Sequence, residues 1–554
     1  MRSIRLVHSV VVRGFCTVWR DHVKGLTELL GTNNIYSSLE DMAGFTTDWT
    51  RQYKPHDKAL QLVALPRSTS DVQKVVCYCN LHGLSLIPQG GNTGLVGGGV
   101  GLGHGDESEP LSRGGEVILS LSRMNSIIEV DVEGSLVVCE AGAVLQSVND
   151  VLEKDGLMLP IDLGSKGQCL IGGNVATNAG GLNVIRHGPL SGHVLGLEVV
   201  TGDGRVLNML RTLRKDNMGL HTPLLFIGSE GALGVITKVS MGLVPIPRHR
   251  QILLCKLRGF QGVVGPALHL AKAVLGESLS AFEFMDSCSV GAVQRAMPDL
   301  VPQHLDLLLP HSNDSSAIAR PGIDGEILLL LECSSATELG DRLHDYLVAL
   351  SSHSPSLLAE GGYESALVSQ SQQQHKLLWR IRENVPVALA RLASANGGRL
   401  YKHDISLPLG GSQGMSAAVA QIKEQMKSQG FRILPVLHHP VKAESSIRTA
   451  VVVSPVSVAC FGHAGDGNLH LNILAEGPSL IDAKALIDCA VVEAVATRNG
   501  SLSAEHGVGQ KNLQYLSRFR NAEELRVMVE LKRLFDPNNV LQKSKVLPAL
   551  GGHS

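Results

Sequence analysis

The sequence predicts an α+β fold in several domains, and three observations carry that expectation. Between about residues 56 and 245 short β-branched runs alternate with glycine-rich turns. From about 246 to 475 the glycine density falls and helix-like stretches alternate with strand candidates such as EILLLLECSS (326–335). The last seventy or so residues hold two helical patterns around a polar loop, IDAKALIDCAVVEAVATRNG (481–500) and AEELRVMVELKRLFDP (522–537). The expected division is 1–22 as a targeting segment, 23–245 as a first domain, 246–475 as a second, and 476–554 as a C-terminal helical segment.

The individual elements follow from local pattern. EVILSL (116–121), LVVCEAG (136–142) and GLEVVTGDG (196–204) read as strands. DVQKVVCYCNLHG (71–83) sets Val72, Val75, Val76 and Cys79 on one helical face and stops at Gly83. Two stretches read as inserted surface loops: HGDESEPLSRGGE (104–116) and ILPVLHHPVKAESSIRTAVVVSPVSVAC (433–460). No repeat of solenoid length is present.

Composition narrows the function. With 49 Lys+Arg against 51 Asp+Glu in 554 residues, the chain lacks the basic stripe that nucleic-acid binding needs, so no nucleic-acid partner is expected. The ten cysteines are scattered without a CxxC pair, which reads as reduced, mostly buried thiols. No apolar run reaches the roughly 18 residues of a membrane-spanning helix. The first twenty residues carry Arg2, Arg5, Arg13 and Arg20 among apolar residues and no acid, a composition suited to mitochondrial import.

Neither a complete GxGxxG nor a Walker A sequence is present, so a Rossmann nicotinamide site and a P-loop are both unsupported. The glycines cluster instead in IPQGGNTGLVGG (87–98), DLGSKGQCLIGGNVATNAGGLNVIRHG (162–188) and GSEGALGVITKV (228–239). Glycine allows close backbone approach and positive φ, so that successive N–H groups can converge on a phosphate; a pyrophosphate is the natural guest. Asn92, Thr93, Asn174, Thr177 and Asn178 would add neutral hydrogen bonds to the same ligand.

These three runs together resemble the FAD-binding domain of the vanillyl-alcohol-oxidase type flavoprotein superfamily. The resemblance implies a two-subdomain FAD-binding domain, an α/β cap (substrate) domain on an antiparallel sheet, and a C-terminal helical segment returning over the flavin. It assigns FAD contacts to Gly90, Gly91, Asn92, Thr93, Gly94, Gly173, Asn174, Thr177, Asn178 and Ile236. The first loop contains no histidine, so the FAD is expected to be non-covalent.

The strongest local signal is CFGHAGDGNLHLNI (460–473). A turn at AGDGN separates two strand-like runs, and period two puts His470 and Asn472 on one face with Leu469, Leu471 and Ile473 on the other. His463 lies across the turn from His470, while GSLSAEHGVGQKN (500–512) supplies Glu505 and His506 between glycines. Two imidazoles and a carboxylate suit zinc or another borderline divalent ion, leaving His506 as a proton acceptor; satisfied structural histidines are the competing reading. In LLWRIRENVPVALARLA (377–393), read as a helix, Arg382 lies beside the inward stripe of Leu378, Ile381, Val385, Leu389 and Leu392.

The two histidine motifs resemble the C-terminal signature of the FAD-dependent D-2-hydroxyacid dehydrogenases, over residues from about 40 to the end. That resemblance makes His463, His470 and Glu505 the ligands of Zn2+ (or another divalent metal), His506 the base, and Arg382, Lys402 and Asn472 the substrate-binding residues. It implies oxidation of D-2-hydroxyglutarate, a 2-hydroxy dicarboxylate, to 2-oxoglutarate in the mitochondrial matrix, with electrons passed to electron-transferring flavoprotein and a homodimer as an admitted assembly. The alternatives are D-lactate or another D-2-hydroxy acid as substrate, or a catalytically impaired FAD-binding variant. One departure stands out: where members of the family carry a threonine one turn after the arginine, this sequence has Pro386, which has no hydroxyl and cannot donate a backbone N–H to Arg382, so a kink beside the arginine is expected.

Overall fold

The computed structural model describes residues 19–54, 61–102, 115–301, 323, 325–353, 355–359, 366–395, 397–410, 413–434, 455–475 and 483–548. Residues 1–18 of the expected targeting segment (1–22), most of the 104–116 stretch and the 435–454 part of the second inserted stretch lie outside them. The chain parts into two compact units, one of residues 1–181, 189–246 and 505–554 and one of 182–188 and 247–504. The C-terminal stretch 476–554 is thus shared between them: helix Ala483–Ala496 falls in the second unit and helix Ala522–Phe535 in the first.

The first unit holds two sheets. In one, Gln61–Ala64, Glu116–Ser120 and Ser85–Gln89 run parallel, with Ile35–Tyr36 antiparallel at the edge. Helix Thr69–His82 makes the crossover: the Ser68 side chain accepts the Asp71 N–H at its start, and Gly83 ends it in the left-handed conformation (φ 66°). Its buried face is Val72, Val75, Val76 and Cys79, as the periodicity predicts. The other sheet is antiparallel, in the order Ile127–Asp131, Leu136–Glu140, Gly234–Gly242, Val194–Thr201, Val206–Met209. Its central strand is buried at eight of nine positions, and the two sheets share one apolar cluster that includes Leu86, Val117, Val137, Val199 and Ile236. The C-terminal tail is tied to this unit: Leu86 N–H donates to Val540 O, and the buried Lys532 ammonium donates to Ala232 O, Leu541 O and Asp536 Oδ2 at 2.5–2.9 Å.

The second unit is built on an eight-stranded sheet. Its path runs Ala366–Val368, His249–Leu257, Ile327–Ser335, Leu279–Asp286, Pro455–His463, Asn468–Ala475, Arg399–Ser406, all antiparallel, with Arg432–Leu434 added parallel to Pro455–His463. Residues 432–434 and 455–460 are therefore paired strand, a correction to the reading of 433–460 as a surface loop throughout; the near-continuous apolar run PVSVACF is buried on both faces from Val456 to Phe461. Helices Ser287–Ala296, Gln372–Glu383 and Val385–Ala395 pack on one face through Val290, Val293, Leu378, Ile381, Val385 and Leu389 against Leu328, Leu330 and Phe461.

The stretch read as one helix is two. Helix Gln372–Glu383 ends at Asn384, whose N–H closes back on Arg380 O, and Asn384 O then accepts Ala388 N–H to start the next helix. Pro386 lies in the first turn of that second helix, where the backbone N–H groups have no intrahelical acceptor, so its missing donor costs nothing. The break places Val385, Ala388 and Leu389 back into the core.

Among the described residues the nine cysteines are free thiols, seven of them buried. No described helix is long and apolar enough to cross a membrane.

Candidate active site

In the first unit the three glycine-rich runs converge on a cavity of about 730 Å³. Strand Ser85–Gln89 delivers the first run and strand Gly234–Gly242 the third, while the second run includes the short helix Ile171–Ala176. Gly90, Gly91, Asn92, Thr93, Gly94, Gly173, Asn174, Thr177 and Ile236 all line the cavity; Asn178 does not. The glycines are required by contact. A Cβ on Gly91 would lie 2.2 Å from Gln168 O, and one on Gly90 would lie 3.1 Å from Gly173 Cα, so the two loops touch backbone to backbone. Among the described residues no protein acceptor takes the N–H groups of Gly91, Asn92, Thr93 and Gly94, all of which line the cavity, so a run of donors is available to a pyrophosphate. The residues present fit FAD.

The side chains of Asn92, Thr177 and Asn178 also make hydrogen bonds within the protein. Asn92 sits at φ 52° and its Nδ2 donates to Thr47 O (2.8 Å) and Gly44 O (3.3 Å). Asn178, at φ 48°, accepts Ser191 N–H with Oδ1 (3.1 Å), and Thr177 Oγ1 donates back to Gly173 O (3.1 Å). These side chains shape the loops that hold the ligand.

Glu505 and His506 line the same cavity. Glu505 Oε1 accepts the N–H of Gly181 (3.1 Å), where a Cβ on the preceding Gly180 would come within 3.0 Å of it. The loop after His506 is fixed by a residue that no motif reading had singled out. Glu230, buried and at φ 50°, accepts Val508 N–H (2.6 Å) and Gly509 N–H (3.0 Å) with its two carboxylate oxygens, while Gln542 Nε2 donates to Glu230 O (2.8 Å). Burial pushes the Glu230 carboxyl up to about 7, against the two backbone donors that lower it.

In the second unit the predicted residues share one face of the sheet because their strands pair directly. The register sets Lys402 opposite Asn472, Asp404 opposite His470, Phe461 opposite His470 and Glu283 opposite His463, and opposed residues of antiparallel strands point the same way. Leu469, Leu471 and Ile473 are fully buried on the other face, as period two requires. The Nε2 atoms of His463 and His470 come within 3.3 Å of each other. Each ring is backed at Nδ1 by a buried carboxylate: Glu283 Oε1 at 2.7 Å from His463 and Asp404 Oδ1 at 3.3 Å from His470. A proton on each Nδ1 leaves the two Nε2 lone pairs facing one another, which is unfavourable unless a cation lies between them. Two imidazoles bound tetrahedrally at about 2.0–2.1 Å would have nitrogens about 3.3 Å apart. The observed pair fits that chord.

Arg382 is not the solvated helix arginine that its position beside the stripe permits. It is 6% exposed, its Nε and Nη2 lie 3.0 and 2.8 Å from Glu283 Oε2, and its guanidinium stacks 4.7 Å from the Phe461 ring centre. Burial alone would raise the Glu283 carboxyl, but His463 and Arg382 outweigh it and hold it below the ordinary carboxylate value. Asn472 is buried, with Nδ2 donating to His470 O (3.2 Å). Lys402 is exposed as a residue, yet desolvation by the surrounding protein lowers its ammonium pKa. The carboxylates Glu283 and Asp404 were missed by motif reading. The signal available was a carboxylate flanked by Phe282 and Phe284 in the middle of a strand, LSAFEFMD (279–286), in which every residue is buried.

Comparison with known proteins agrees with this construction. Residues 60–210 match the family described as "FAD binding domain" and residues 246–546 the family described as "FAD linked oxidases, C-terminal domain". The chain is 36% identical to the mitochondrial D-2-hydroxyglutarate dehydrogenase of Arabidopsis thaliana, over 94% of this chain and 80% of that protein. It is 34% identical to a putative mitochondrial D-lactate dehydrogenase of Schizosaccharomyces pombe, over 90% and 84%. Among solved structures, 4-ethylphenol oxidase from Gulosibacter chungangensis superposes with a TM-score of 0.63 at 17% identity, covering 96% of this chain and 97% of that one. The fold is that of the vanillyl-alcohol-oxidase type flavoproteins, and the protein is an FAD-dependent oxidoreductase. The chain belongs to the D-2-hydroxyglutarate dehydrogenase family of FAD-linked oxidases.

Proposed function

We propose that the protein oxidises D-2-hydroxyglutarate to 2-oxoglutarate in the mitochondrial matrix, with electron-transferring flavoprotein as the acceptor of its electrons. The observation that carries the reading is the His463–His470 pair, its Nε2 atoms 3.3 Å apart and each ring backed by a buried carboxylate, on the same sheet face as Asn472 and Lys402. His463 and His470 hold a divalent metal together with Glu505. Chain continuity supports the third ligand: Ala504 N–H donates to Asp404 O (3.2 Å), the residue opposite His470, and Glu505 is the next residue. Two imidazoles and a carboxylate suit zinc, which would supply a Lewis acid for the 2-hydroxyl. The glycine-rich loops would hold FAD without a covalent link, and the flavin would supply the hydride acceptor for oxidation at C2.

The chain's own residues divide the remaining work. An imidazole nitrogen of His506 takes the hydroxyl proton. Arg382 binds a substrate carboxylate with the donors that Glu283 does not engage, since a guanidinium offers five N–H groups. Lys402 places a second fixed charge, and Asn472 offers its amide beside it. Oxidation of D-lactate is the second reading, favoured by Pro386, which offers no hydroxyl to a distal carboxylate.

The test is the visible spectrum of the purified protein before and after anaerobic addition of D-2-hydroxyglutarate, with D-lactate ranked against it. Bleaching of the flavin band by the dicarboxylate at the lower concentration is the expected result. A flavin band untouched by any 2-hydroxy acid overturns the reading.

A further inference from the structure

We propose that Glu283 is a positioning residue that couples the metal-binding histidine to the carboxylate-binding arginine, so that occupancy of one strengthens the other. The proposal rests on the reading of His463 as a metal ligand and Arg382 as a substrate-binding residue. Glu283 lies in the middle of strand Leu279–Asp286, and its side chain is 1% exposed. Its two oxygens are divided between two functional groups: Oε1 meets His463 Nδ1 at 2.7 Å, and Oε2 meets Arg382 Nε and Nη2 at 3.0 and 2.8 Å. A carboxylate is rigid and planar, so it cannot turn toward one partner without loosening the other. The contacts close into a ring. The Arg382 guanidinium lies over Phe461, whose ring centre is 5.1 Å from that of His470, and His470 Nε2 meets His463 Nε2.

The direction of the coupling follows from charge. A cation on His463 Nε2 makes Nδ1–H a stronger donor and tightens its bond to Oε1, which fixes the carboxylate plane and with it the orientation of Arg382. Reciprocity then requires that a carboxylate gathered by Arg382 raise metal affinity by the same factor. A second buried carboxylate gives the necessary contrast. Glu332 is held by His375 Nε2 (2.9 Å) and Trp379 Nε1 (2.7 Å), from the same helix that carries Arg382, and by Ser280 Oγ (2.8 Å). It steadies the helix through His375 and Trp379, so its loss reports what a purely structural anchor does.

The experiment compares wild type, Glu283→Gln and Glu332→Gln as purified, FAD-loaded protein. It measures zinc affinity by competition with a chromophoric chelator, FAD per chain, and KM and kcat for D-2-hydroxyglutarate. A wild type with one zinc per chain is expected, and Glu283→Gln should bind zinc about ten- to a hundredfold more weakly, the range for loss of such a partner. Its KM should rise about tenfold at an unchanged FAD content, and Glu332→Gln should show neither change. If Glu283→Gln matches wild type in zinc affinity and KM, or if Glu332→Gln shows the same two losses, the coupling role is overturned. A wild type that binds no divalent ion defeats the metal reading itself, and the coupling with it, before any variant is compared. Should Glu283→Gln lose its FAD, Glu283→Asp carries the comparison: it keeps the charge but is too short to span both partners, so retention of both zinc affinity and KM would overturn the proposal.

Discussion

Gly91→Ala is the sharpest test of how the glycine-rich loops make the flavin cavity. The new Cβ would lie 2.2 Å from Gln168 O and 3.0 Å from Cys169 Cα, both backbone atoms, so no rotamer change can relieve the contact. An ordinary contact begins at 3.4 Å, and the loops must therefore separate by 3.4 − 2.2 = 1.2 Å along that vector. Forced overpacking of this kind costs about 1–3 kcal/mol. If that cost falls on the flavin-bound state, FAD affinity drops by about 5- to 140-fold, at about 1.4 kcal/mol per tenfold. The assay is FAD titration of the stripped protein by quenching of flavin fluorescence, with the melting temperature measured in parallel. Gly94→Ala is the internal control, because a Cβ there meets nothing within 4 Å; its melting temperature should stay at the wild-type value. A Gly91→Ala protein that binds FAD as tightly as wild type and melts at the same temperature would refute the backbone-contact account of the cavity.

Three further outcomes follow from single contacts. Pro386→Thr should leave the melting temperature unchanged, because the helix already breaks at Asn384, and should lower KM for a C5 dicarboxylate several-fold; an unchanged KM would mean that the missing hydroxyl is immaterial. Glu230 has its carboxyl raised from 4.5 to about 7 by burial, so between those values the folded chain holds a proton that the unfolded chain has released, and stability declines as pH rises across that window. The difference of 2.5 units corresponds to about 3 kcal/mol; urea midpoints taken from pH 4.5 to 8 should show this slope in wild type and not in Glu230→Gln, and an equal slope in both would assign it elsewhere. Lys532→Met strips the Asp536 carboxylate of its buried counter-charge and should cost about 3–5 kcal/mol, read as loss of the folded, flavin-binding population in thermal melts; a change under about 1 kcal/mol would show that the two backbone donors to Asp536, from Val540 and Leu541, suffice alone.

Much of this site is legible in the sequence because its geometry is set by short-range rules. Period two in NLHLN puts His470 and Asn472 on one face whatever the tertiary context, and the turn at AGDGN returns His463 to meet His470. Glycine runs that follow strands announce the cavity because only glycine permits backbone-to-backbone contact such as that of Gly91 with Gln168. The helix Thr69–His82 shows its stop in the sequence for the same reason: Gly83 acts within one turn. What was hidden depends on pairings far apart in the chain. Glu283 meets Arg382 across 99 residues and His463 across 180, and Glu230 reaches Val508 across 278. No local pattern encodes such a register.

The residues hidden in this way govern how well the recognisable ones work. A histidine becomes a good ligand when its second nitrogen has a fixed acceptor, and here those acceptors are Glu283 and Asp404, neither of which belongs to the histidine motif. An arginine on a helix can act as a carboxylate clamp when it is desolvated and aimed, and in the proposed site Glu283 and the Phe461 ring fix the direction of Arg382. The same logic separates motif from function at Pro386. Read along the chain, a proline four residues after the arginine threatens the helix; in the fold, Asn384 ends one helix and begins the next, and the proline falls where a helix tolerates it. The backbone consequence of Pro386 is thereby absorbed, and under the proposed function what is left to test is chemical: whether a missing hydroxyl near Arg382 alters substrate preference.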